Sequence, residues 1–245
     1  MIEFTPLASS SEGCAYLLSG GGASSPLLID CGISFKALQR ALDFKVSSLA
    51  GCLISHSHQD HCKAAKELLA SGVQCYASKE TWLSIFGNQR PHNTVALAEG
   101  GWWPIGNFSG DLWSVHSFEA KHDCEGTLGF VIDSPQGDRL LYLTDSCYSK
   151  YRFPNLTHIA VECNHSMELM KQNVITGHID RSRYSRTAHN HMSLERLLDL
   201  LKANDLSKVQ KITLLHLSDA NSDEVMFKDA VAKATGVPVE VAVKR

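Results

Sequence analysis

Four residues that bind metals well fall within six positions, His56-Ser57-His58-Gln59-Asp60-His61, spaced His-x-His-x-Asp-His. Neutral imidazole and carboxylate together suit Zn²⁺ or Mn²⁺. The apolar residues 50–54 before them read as a strand, and residues 62–71 after them read as a helix that stops at Gly72. Ligands placed where a strand hands over to a helix can converge on one point. A single histidine there would pass for a polar loop residue; a set of four at this spacing points to a metal.

Further candidates stand at the ends of other predicted strands. His122-Asp123 follows the strand 112–118, Asp145 follows the strand 139–144, and His216 comes at the end of the strand 211–217. Strand ends gather at one rim of a sheet, so these groups can meet the 56–61 set. Seven groups exceed the need of one tetrahedral site. Two metals sharing a bridging carboxylate is the economical reading, and such a pair activates water and stabilises an in-line displacement. His116 is the rival of His122 but lies inside a strand. His92, His158 and His178 read as surface or internally satisfied residues.

The elements that must position these groups follow from pattern. The chain has 245 residues, 44% apolar and 20% charged, with a net charge of −3. That is globular material for a single domain over 1–245, with no global basic footprint for nucleic acid. Eight cysteines include no C-x-x-C pair, which argues against a structural zinc site. Cys31, Cys52 and Cys75 read as core, and Cys62, Cys124 and Cys147 as packing beside the candidate ligands. No signal peptide or membrane-length apolar run is visible, so a cytoplasmic protein with free thiols is expected.

Strands are predicted at 14–19 and 26–31 around a glycine turn, then at 73–77, 94–97, 102–105, 127–133, 158–163 and 238–243. Helices are predicted at 35–43, from the Ser78 cap to 85, and at 166–173 and 222–235. Ser193 caps a further helix with Leu194, Leu197, Leu198 and Leu201 on one face. The polar, basic stretch 176–191 reads as a loop at the mouth of the site. This order predicts an α/β chain with two sheets and outer helices, an αβ/βα sandwich.

These motifs together resemble the metallo-β-lactamase fold superfamily, most closely its YycJ-like (WalJ-like) exonuclease branch, near RNase Z. The likeness runs through Leu27-Leu28-Ile29-Asp30-Cys31-Gly32, the histidine motif, Tyr142-Leu143-Thr144-Asp145, Val161-Glu162-Cys163-Asn164-His165, His191-Met192-Ser193 and Leu214-Leu215-His216-Leu217-Ser218. The resemblance implies a four-layer αβ/βα sandwich and two divalent metal ions, Zn or Mn. One metal would be held by His56, His58, His122 and Asp145, the other by Asp60, His61, Asp145 and His216. It implies catalytic roles for Asp60, orienting water, and His191, donating a proton. Arg181, Arg183, Arg186, Glu162, Asn164 and His165 are the expected substrate contacts. The branch usually carries a Gly-His-Leu-Ser-like piece where this chain has Asn190-His191-Met192-Ser193.

The activity implied is a phosphodiesterase on nucleic acid, foremost a 5′→3′ DNA exonuclease. A cyclic nucleotide phosphodiesterase on the same two metals is the alternative, followed by a lactonase or thioesterase. No membrane partner is expected, and a homodimer, common in related folds, is a further expectation. A non-enzymatic binding module would need degraded ligands, and all seven are present.

Overall fold

The computed structural model describes residues 1–106 and 110–242. They fall into two compact units: Met1–Glu119 with Cys124–Arg139, and Ala120–Asp123 with Leu140–Ala242. In the first unit, β1 (Ile2–Ser10), β2 (Gly13–Gly20), β3 (Leu27–Cys31), β4 (Gly51–Leu53), β5 (Cys75–Ser78) and β6 (Thr94–Leu97) form one sheet in chain order. The first three strands are antiparallel and β3 to β6 are parallel. Parallel neighbours need crossovers, which here carry α1 (Phe35–Ala41), α2 (Gln59–Cys62), α3 (Ala65–Ala70) and α4 (Lys79–Phe86).

Every residue of β3 and β4 is buried, as an apolar run covered on both faces requires. Leu28, Cys52 and Ile54 pack with Leu38, Leu68 and Trp82 in one core cluster. Burying each such leucine contributes about 2 kcal/mol. Cys31, Cys52 and Cys75 lie in this core as expected. Ser34 and Ser78 cap α1 and α4, accepting the amides of Ala37 and Thr81.

Two departures have local causes. β1 was not expected, because Pro6 interrupts its pattern; it survives as an edge strand with a bulge between Pro6 and Ala8. The predicted helix 62–71 is two helices, and the first starts inside the histidine motif. The break comes where the Ala64 amide leaves the helical ladder to donate to the Cys31 carbonyl at 2.9 Å. The same unit carries an antiparallel ladder of β7 (Trp102–Ile105), β8 (Trp113–Glu119) and β9 (Leu128–Asp133).

The second unit holds a parallel ladder of β10 (Arg139–Leu143, from Leu140 onward), β11 (His158–Glu162), β12 (Lys211–Leu215) and β13 (Val239–Val241). Its helices are α5 (Met167–Ile175), α6 (Arg181–Asn190), α7 (Leu194–Lys202) and α8 (Glu224–Thr235). The last residue of the predicted strand 238–243 lies outside the described residues. Ser193 caps α7 as expected, and the buried face is Leu194, Leu197, Leu200 and Leu201, with Leu200 in place of the predicted Leu198.

The stretch 176–191 is corrected: most of it is helix α6, not loop. Asp180 caps it, accepting the Arg183 amide at 2.7 Å. None of its residues is buried. A helix with no apolar stripe gives no periodic signal in the sequence.

Candidate metal and catalytic centre

In the first unit the site is built on a bulge. Ala15 pairs with Cys31 while Tyr16 pairs with Ile29, leaving Asp30 as the extra residue, with φ at 56°. A bulge re-aims a side chain. Asp30, fully buried, accepts the Ser55 amide at 2.8 Å and the Ser55 hydroxyl at 3.0 Å. It also accepts from His61 Nδ1 at 2.8 Å. Ser55 Oγ stands 3.0 Å from His56 Nδ1. This chain orients both rings, whose centroids are 4.2 Å apart. The His58 ring is 4.8 Å from that of His56 and is exposed. Asp60 Oδ2 lies 3.8 Å from His61 Nε2. A Cβ at Gly32 would sit 1.6 Å from the Asp60 carbonyl oxygen, so only glycine lets α2 approach the end of β3 this closely.

In the second unit, strand register sets the site. Leu143 pairs with Val161, Val161 with Leu214 and Glu162 with Leu215. Asp145, Glu162 and His216 therefore leave neighbouring strands at one carboxyl end, the usual place for function in parallel sheets. Asp145 and His216 are left-handed, with φ at 43° and 53°. Asp145, Glu162, His191 and His216 offer atoms within 4.8 Å of one another.

Hydrogen bonds sort this group. Glu162 Oε1 accepts from His191 Nδ1 at 2.7 Å and from His216 Nδ1 at 3.0 Å. Glu162 Oε2 accepts the Ser146 amide at 3.1 Å and the Met192 amide at 3.0 Å. With both oxygens engaged, Glu162 fixes the orientation of the two imidazole rings. Burial pushes its pKa up, but the charge of His191 and the hydrogen bonds from both histidines bring it to about 2. Burial pulls His191 down, and Glu162 more than reverses this, so the imidazole ends above its ordinary value. The His191 ring lies 5.6 Å from that of His122 and 5.3 Å from that of His216.

His122 donates through Nδ1 to the Asn190 carbonyl at 3.1 Å and brings Nε2 within 3.9 Å of Asp145 Oδ2. Burial, outweighing Asp145 and Asp123, lowers its pKa and keeps the ring neutral, as a ligand must be. Its rival His116 lies within β8, its ring 4.9 Å from that of Trp102.

The remaining expected substrate contacts are redistributed. Glu162, Asn164 and His165 are 0, 7 and 0% exposed, so in this structure they are packed among neighbouring residues. The Asn164 side chain donates to the His216 carbonyl at 2.9 Å, and its backbone bonds Met192 and Ser218. His165 pairs with Ser193 in an isolated bridge, and burial drops its pKa to about 4. Arg181, Arg183 and Arg186 are all exposed on α6. Helical spacing puts Arg183 and Arg186 on one face and turns Arg181 toward a hollow with Lys171, Val174, Ile175 and Tyr184. Asp30 was missed as a site residue; its signal is a carboxylate closing an otherwise apolar strand.

The residues fit divalent metals. In His61, His122 and His216 the Nδ1 atom is tied to a carboxylate or carbonyl, which fixes the tautomer and presents Nε2. This is the usual outer support of metal-binding histidines.

A model of the β-lactamase superfamily domain matches residues 26–216, more than three quarters of the chain. The chain belongs to the β-lactamase superfamily. It is 24% identical over 245 residues to exodeoxyribonuclease YycJ of Bacillus anthracis, covering 95% of this chain and 88% of that one. It superposes on the metallo-β-lactamase fold protein YhfI of Bacillus subtilis with a TM-score of 0.71 and 15% identity, over 98% and 96% of the two chains. With the short form of human tRNase Z the TM-score is 0.59 at 14% identity, over 100% and 97%. These likenesses show the metallo-β-lactamase αβ/βα fold that the sequence led us to expect.

Proposed function

We propose that this β-lactamase-superfamily chain is a two-metal phosphodiesterase acting on nucleic acid, and that it is a 5′→3′ DNA exonuclease. His56, His58, His122 and Asp145 would hold one divalent ion, and Asp60, His61, Asp145 and His216 the other, Zn or Mn. Such ions, when bound, supply Lewis acidity and a water of lowered pKa. Asp60 orients the attacking water. His191 holds a proton for the leaving oxygen, backed through Nδ1 by Glu162. Arg183 and Arg186, on the exposed face of α6, contact backbone phosphate.

The observation that carries this reading is the His191–Glu162 pair beside His122 and His216. A sugar alkoxide is a poor leaving group and needs a proton from a positioned acid. The similarity to exodeoxyribonuclease YycJ along most of both chains supports the polymer substrate. Eight free thiols support a cytoplasmic setting. Among the described residues no helix is long and apolar enough to cross a membrane.

The test is a substrate panel with Mn²⁺: 5′-labelled single-stranded and duplex DNA, RNA, and cyclic mononucleotides. Mononucleotide release from the 5′ end of DNA is the expected result. Intact DNA beside hydrolysed cyclic nucleotide would replace the exonuclease with the cyclic phosphodiesterase.

A further inference from the structure

Two segments that start at the candidate centre line a second feature of the second unit. One is 148–152, which begins three residues after Asp145. The other is α7, which begins three residues after His191. Tyr148, Lys150, Tyr151, Arg152, Arg196 and Asp199 contribute to the wall of a cavity of about 350 Å³ between them.

The lining has a definite chemical character. Tyr148 is 56% exposed. Lys150 Nζ sits 5.1 Å from the centroid of the Tyr151 ring. Arg196 donates to the Cys147 carbonyl at 3.1 Å and to the Ala188 carbonyl at 3.0 Å, and Arg152 donates to the Ala203 carbonyl. The bonds to Cys147 and Ala203 clamp the 147–152 segment onto α7, the bond to Ala188 ties α7 to α6, and the positive charge stays on the wall. Three cations face one anion, Asp199, in a chain whose net charge is −3. The cavity is therefore a local positive field in an acidic protein. Cations beside tyrosines match a ligand that is both anionic and flat. A nucleotide is such a ligand, and a cavity of this volume holds about one.

We propose that this cavity binds one unpaired nucleotide of the nucleic-acid substrate, its base against Tyr148 and Tyr151 and its phosphate facing Lys150 and Arg196. This rests on the nucleic-acid reading above and adds to it a subsite and a strand preference. Bases inside a duplex are stacked on each other and cannot reach a tyrosine; an unpaired base can. Asp199 supplies an acceptor for a base amino group on the same wall.

The test uses the full chain and two readouts: KM and kcat on a 5′-labelled single strand with Mn²⁺, and, separately, anisotropy of a labelled oligothymidylate with EDTA in place of Mn²⁺ to prevent cleavage. Tyr148→Ala weakens binding and raises KM about tenfold with kcat nearly unchanged, and Tyr148→Phe restores both. Lys150→Ala weakens binding and lowers its salt dependence. Wild type binds a matched blunt duplex more weakly than the single strand. Unchanged KM and affinity in both Tyr148→Ala and Lys150→Ala would remove the subsite while leaving the nuclease reading intact, as would equal affinity for duplex. Wild type that neither binds nor cleaves any nucleic acid would remove both. Hydrolysis of bis(4-nitrophenyl) phosphate, too small to reach the cavity, stays at the wild-type level in each variant; a parallel loss there would show general damage to the centre and overturn the subsite.

Discussion

Both oxygens of Glu162 are engaged, one by two histidines and the other by two backbone amides. Replacing one oxygen with NH₂ sets donor against donor whichever way the amide turns. Glu162→Gln is therefore expected to lower metal affinity or activity about 10- to 100-fold, checked by metal titration and initial rates. His165 gives a second expectation at this scale. Its folded pKa of about 4 lies below the ordinary histidine value, so the unfolded chain takes up the proton first. Its contribution to stability is full above about pH 6.5 and is lost as pH falls toward 4, a change of about 3 kcal/mol. Urea midpoints at neutral pH and near pH 4.5 should fall less in His165→Gln than in wild type. The sequence showed the 56–61 ligands because they are dense along the chain. It hid Asp30, and it offered Glu162 only as a substrate contact, because a bulge and cross-strand register set their bonds to the histidines and no local pattern encodes either.

Among the elements, the strands other than β1 and the serine-capped helices were legible, since buried runs and serine caps leave direct traces. α6 was not, because a helix with nothing buried has no apolar period to read. Its stability must then rest on capping and local bonds. Asp180→Ala is expected to cost about 1 kcal/mol, confined to this helix. Amide hydrogen exchange should quicken over 181–190 and stay unchanged in β10 to β12. Added single-stranded DNA should slow exchange in α6, since Arg183 and Arg186 share its exposed face. The split of α2 from α3 was equally hidden: one amide bond to Cys31 decides it.

For the molecule as a whole, a net charge of −3 limits how strongly a polyanion can be held without local contacts. Lys150, Arg183 and Arg186 together neutralise about three phosphates, which gives a salt slope for single strands of about −2. Anisotropy across a potassium chloride series checks this, and a slope steeper than about −5 would indicate a long basic track instead. The backbone adds a separate consequence. Asp30, Asp145 and His216 are three of the six non-glycine residues with positive φ among the described residues. Each such position costs on the order of 1 kcal/mol and is held only by its surroundings. Warming is expected to relax these strained positions before the sheets melt, moving the three side chains off their native aim. Heat should thus silence the protein before it unfolds: turnover is expected to fall reversibly several degrees below the far-ultraviolet circular dichroism midpoint. The thermal ceiling on its work would be set by three backbone angles and not by its core.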